Sequence, residues 1–65
     1  MIKKFKITAI EQGWLDSFNS HFLTNYQLNQ VLKLNQTDCA DLLARIEEFN
    51  ETIAYGYAID LKEVD

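Results

Sequence analysis

The chain has 65 residues, 48% apolar and 25% charged, with ten acids against six lysines and arginines and a formal charge of −4 at pH 7. That length holds a single domain, residues 1–65, and a chain of ~60 residues buries only about 60% of its unfolded surface. One cysteine, one histidine and no apolar run near the ~20 residues of a membrane span argue against a disulfide scaffold, a zinc finger, a helical membrane protein and a multidomain enzyme.

The first residues, Met1 to Lys6, carry the charge of a signal peptide. Lys6 and Thr8 interrupt the apolar residues and Glu11 ends them, so no secretory signal is expected and a cytoplasmic location is. Residues 2–10 read as a strand: Phe5, Ile7 and Ala9 alternate with Lys4, Lys6 and Thr8, the period of a half-buried sheet. Gln12 and Gly13 break it.

Residues 14–23 read as a short helix, with Leu15, Phe18 and Phe22 on one face and Trp14 beside Phe18. Thr24 with Gln27 three residues on has the form of a capping box, so a second helix is expected to carry Tyr26, Leu28, Val31 and Leu32. One fused helix over 14–34 is the alternative, weakened by Thr24, Asn25 and Asn29. The best helical pattern spans 38–50, capped by Thr37 or Asn35, with Asp38 and Asp41 in its first turn. Leu42, Leu43, Ile46 and Phe49 form its core stripe with Cys39 at the edge, which leaves Asp41, Arg45 and Glu48 on the solvent side.

Residues 52–61 read as a strand with Ile53, Tyr55, Tyr57, Ile59 and Leu61 on one face and smaller residues, Gly56 among them, on the other. The expected fold is therefore a small α+β two-layer domain, β-α-α-(α)-β. Its terminal strands pair antiparallel and two or three helices cover one face. A two-stranded sheet is marginal alone. A homodimer is accordingly expected, with Tyr55 and Tyr57 near its interface or core.

Catalysis finds little support. His21 and Cys39 are the only residues of their kinds, and nothing in the spacing brings them together for a nucleophilic pair. Cys39 reads as a small buried hydrophobe. The carboxylates of the 38–50 helix follow polar-face spacing rather than converging. No calcium loop is present, and two isolated glycines make no phosphate loop. No metal and no cofactor are expected, and the chain is read as a non-enzyme.

The segment Asn35-Gln36-Thr37-Asp38-Cys39-Ala40-Asp41-Leu42-Leu43 resembles the second helix of phage-repressor helix-turn-helix domains over nine residues. That family continues with a glycine-containing turn and a recognition helix. Here Ala44 to Phe49 prolong the same helix. The resemblance implies a small DNA-binding regulator as the alternative function, with Lys3, Lys4 and Lys6 of the first strand as its contacts. Three lysines against ten acids make a poor nucleic-acid footprint, so direct binding is not the expectation.

Charge distribution carries the leading expectation. Eight acids against two basic residues fall between Asp38 and Asp65. Such a field repels phosphate and attracts a basic partner surface. The chain is read as a protein-interaction module that occludes a basic, nucleic-acid-binding site on another protein. Asp38, Asp41, Glu47, Glu48 and Glu51 are its partner-facing residues. In size and charge it is similar to phage-encoded inhibitors of host defence such as anti-CRISPR proteins.

Overall fold

The structure is a computed structural model that describes residues 1–64. Strand β1 (Lys3–Ala9) leads into helix α1 (Gln12–Phe22). Strand β2 (Val31–Leu34) and helix α2 (Gln36–Phe49) follow, then a π-helical turn (Asn50–Ala54) and strand β3 (Ile59–Val64). The strands form one antiparallel sheet in the order β2-β1-β3, with β1 at its centre. The terminal strands pair as the alternation implied, from Lys4 opposite Val64 to Ala9 opposite Ile59. The result is an α+β domain with both helices on one face of the sheet, and among the described residues no helix is long and apolar enough to cross a membrane.

The core lies between sheet and helices. Ile7, Ile59 and Leu61 point inward from the strands and meet Leu15 and Phe18 of α1 and Leu42, Ile46 and Phe49 of α2. Phe18 is the hub: its ring stands edge-on to Phe49 at 5.5 Å and tilts against Phe22 at 4.8 Å. Fully burying a Phe side chain stabilises by about 1.5–3 kcal/mol, and edge-to-face aromatic pairs add to that. Asn35 caps α2 as expected, its side-chain oxygen accepting from the Asp38 amide at 2.7 Å. Leu43, expected in the core stripe, is instead 38% exposed. At 100° per residue it sits a quarter turn past Leu42, at the rim of the packed face.

The helix expected from Thr24, and the fused 14–34 alternative, give way to a loop and strand β2. Chain reversal starts at Leu23, which closes α1 in the left-handed conformation at φ 55°. The Thr24 hydroxyl then donates to the Asn19 side-chain oxygen at 2.8 Å instead of capping a new helix. Asn19 also bonds the backbone of Tyr26 twice, accepting from its amide and donating to its carbonyl. Asn29, at φ 64°, turns the chain again and places its amide on the Ile7 carbonyl. From there Val31 to Leu34 alternate, Leu32 and Leu34 half-buried and Val31 and Lys33 exposed, pairing with Lys6 to Lys3 of β1.

The strand expected over 52–61 is confined to Ile59 and beyond. Helix α2 runs on through the π turn to Ala54, and Tyr55 reverses the chain at φ 55°. Ile59 and Leu61 face the core as the alternation required. Tyr55 and Tyr57 do not: they are 84% and 90% exposed, so neither belongs to the core. The reason is sheet length. The Ile10 amide still bonds the Ala58 carbonyl at 3.0 Å, but β1 offers no partner beyond it, and Tyr57 has no strand to lie against.

Candidate interaction surfaces

The acidic surface is built by α2 and the π turn. Asp38, Asp41, Glu47, Glu48 and Glu51 are all exposed, because Leu42, Ile46 and Phe49 take the opposite side of the helix into the core. The helix divides these acids into two rows. Asp41 and Glu48 are seven residues apart, hence about 10 Å along the axis on nearly the same line, with Arg45 between them. Glu47 and Glu51 lie on a second row, about a quarter turn away or more. Among the described residues, the ion pair formed is Lys3 to Glu63 at 3.6 Å, beside the first turns of α2 and away from these acids. The α2 carboxylates hold no cation of their own.

The second row opens into a cleft of about 710 Å³ lined by Glu47, Asn50, Glu51, Tyr55, Gly56 and Tyr57. Its wall is held by one buried side chain. Asn50 accepts from the amides of Ala58 and Ile59, each at 3.1 Å, and donates to the Ile59 carbonyl at 3.0 Å. The Asn50 carbonyl accepts from both Tyr55 and Gly56. Thr52 closes the turn from outside, its hydroxyl donating to the Glu48 carbonyl at 2.7 Å. The two tyrosines therefore project from a fixed turn rather than a loose loop. π-Helical turns are rare and recur at functional sites, and a non-glycine residue at positive φ stores backbone strain. Two carboxylates beside two aromatic rings form a surface chemically suited to a lysine or arginine side chain, through charge and through the negative ring faces.

A second surface lies on the opposite, uncovered face of the sheet. Lys4 stands directly opposite Lys33 of β2, and Lys6 directly opposite Lys62 of β3. Opposed residues of an antiparallel pair share one face, and Lys4 and Lys6 share it through the two-residue period. Four of the five lysines thus gather on one face, with Asp60 as the acid among them. Lys3, grouped with Lys4 and Lys6 in the sequence, lies on the other face with Glu63. Sequence reasoning missed Lys33 and Lys62 because it placed the first on a helix and did not pair the second with β1. The signal that finds them is the Val31-Leu32-Lys33-Leu34 alternation.

The only histidine and cysteine sit in different surroundings. His21 is exposed near the end of α1, its ring edge-on to Phe22 at 4.6 Å. Cys39 is half-buried in α2, beside Phe5, Leu34 and Leu43 at the other large cleft. Among the described residues no group of three or more His, Cys, Asp or Glu side chains is placed to hold a metal ion. The segment 35–43 that resembles a repressor helix is the capped first half of α2, and the chain passes from it into the π turn and β3 with no further helix. No protein-family model, curated protein or solved structure matches the chain.

Proposed function

We propose that this protein is a non-enzymatic interaction module that binds a basic surface on a partner protein through the acidic side of α2 and the π turn. The partner's basic site is one that otherwise holds nucleic acid, and the protein acts by covering it in the cytoplasm. Phage-encoded anti-defence inhibitors, to which the chain is similar in size and charge, work in this class of action. One observation carries the reading: Glu47, Glu51, Tyr55 and Tyr57 surround a single cleft whose lining, among the described residues, includes no lysine or arginine. A partner arginine or lysine supplies the missing charge, and Asp38, Asp41 and Glu48 extend the field that steers it there.

A second reading of the tyrosines is favoured by their exposure next to β3, which is an edge strand. It puts Tyr55 and Tyr57 at a homodimer interface, with two sheets joined edge to edge. Mass in solution separates the two readings.

Affinity capture with the wild-type chain as bait in lysate of its native host, followed by mass spectrometry, tests the main proposal. The expected retained protein carries a basic nucleic-acid-binding surface and is lost when the bait is Glu47→Lys with Glu51→Lys. Equal retention by both baits would reject the proposal.

A further inference from the structure

We propose that the uncovered face of the sheet is a docking surface for the phosphate backbone of duplex DNA, independent of the acidic side of the molecule. Like charges directly opposite in a sheet are destabilising, and here two such pairs, Lys4 with Lys33 and Lys6 with Lys62, stand side by side. Among the described residues a single carboxylate, Asp60, shares the face, opposite Thr8. An external polyanion relieves both repulsions at once.

Strand geometry gives the lysines a regular grid. Opposed pairs are separated by about 5 Å, successive lysines along β1 by about 7 Å, and the three strands span about 10 Å. That is a patch on the scale of neighbouring phosphates, which carry one negative charge per ~3.4 Å of axis on each strand.

Composition of the face selects among polyanions. None of the eight aromatic residues lies on it: six pack in or against the core, and Tyr55 and Tyr57 project from the turn before β3. Unpaired bases need aromatic platforms to stack on, and membrane interfaces draw on aromatic anchors. No arginine, asparagine or glutamine stands on the strands' outer positions to read base edges. What is left is backbone contact to a duplex without sequence preference.

Fluorescence anisotropy tests this with a labelled 25-base-pair DNA duplex of arbitrary sequence, the matching single strand, and phosphatidylserine vesicles as a competitor. At 50 mM salt the wild-type chain is expected to half-saturate the duplex below about 100 µM. The affinity falls by about a hundredfold at 200 mM, the slope of roughly four phosphate contacts. Lys4→Glu with Lys33→Glu lowers duplex affinity at least tenfold. The milder Lys4→Gln with Lys33→Gln lowers it in the same direction, and far-ultraviolet dichroism verifies the fold of each. Absence of duplex binding at 50 mM salt, unchanged affinity in both folded double variants, tighter binding to the single strand, or displacement by vesicles at equal anionic charge would each overturn the proposal.

Discussion

The side chain of Asn50 grips Ile59 by both backbone groups, accepting from its amide at 3.1 Å and donating to its carbonyl at 3.0 Å. A helix end and the first residue of a strand, nine positions apart, are thereby bonded as if they were neighbouring strands. Asn50 is 8% exposed, the one buried polar residue, and no buried side-chain polar atom lacks a partner among the described residues. Ala9 and Ile59 form a pair without mutual hydrogen bonds, since the Ile10 amide bonds the Ala58 carbonyl, so the Ile59 amide and carbonyl point away from β1 and the Asn50 side chain satisfies them on the outer edge of β3. The π turn follows from this bond, because the helix must be held at Asn50 while the chain reverses toward the sheet.

Replacing Asn50 therefore removes a helix terminus, a strand start and one wall of the acidic cleft together. Asn50→Ala leaves the amide and carbonyl of Ile59 without partners and the Ala58 amide with the Gly56 carbonyl alone, and each unsatisfied buried group costs about 1–3 kcal/mol. A loss of about 3 kcal/mol is expected in urea unfolding, a large share of the roughly 3–10 kcal/mol that a domain of this size possesses. A loss below about 1 kcal/mol would mean that water replaces the side chain and that the turn does not depend on it.

Cross-strand repulsion gives a prediction of opposite sign. Lys62→Glu turns the Lys6 pair from like to unlike charge, so the variant is expected to be more stable by about 0.5 kcal/mol. For a chain of this length that raises the melting temperature by roughly 2–4 °C. A lower melting temperature in low salt would show that Lys6 and Lys62 do not face each other.

Much of this architecture is legible in the residues. Phe5, Ile7 and Ala9 announce β1 by strict alternation, and Leu42, Ile46 and Phe49 announce α2 by helical spacing, because each pattern is decided by burial on one side only. The misreadings arise where local pattern and tertiary bonding diverge. Thr24 and Gln27 imitate a helix start, but Asn19 reaches forward seven residues to hold Tyr26 in a loop. Ile53, Tyr55, Tyr57, Ile59 and Leu61 alternate without a break, yet Asn50 divides them between a helical turn and a strand. No periodicity encodes a side-chain bond between residues seven or nine apart. The exposed acids were legible as a helix face. Their meeting with Tyr55 and Tyr57 was not, since it depends on that turn.

Assembly is tested by mass. If the β3 edges pair and the tyrosines meet across the interface, light scattering gives twice the 7.6 kDa of one chain at micromolar concentration. Tyr57→Ala then restores the single mass. A 7.6 kDa species throughout the micromolar range rejects the homodimer and leaves the tyrosines to a different protein.

Charge on the first acidic row is tested by reversal. Asp41→Lys with Glu48→Lys is expected to abolish binding to the captured partner while leaving the circular dichroism spectrum unchanged, since both side chains are exposed. Wild-type affinity should fall as salt rises from about 50 to 500 mM, over which the Debye length shrinks about threefold. Salt-independent binding would point to an apolar contact instead.

The claim of occlusion is tested most directly by competition for the partner. Labelled nucleic acid bound to the captured protein is titrated with the Lys4→Glu, Lys33→Glu chain, so that only the acidic side is read. Displacement of the nucleic acid is expected at one chain per site, and no displacement when Glu47→Lys and Glu51→Lys are added. Nucleic acid that stays bound while this protein saturates the partner would contradict it.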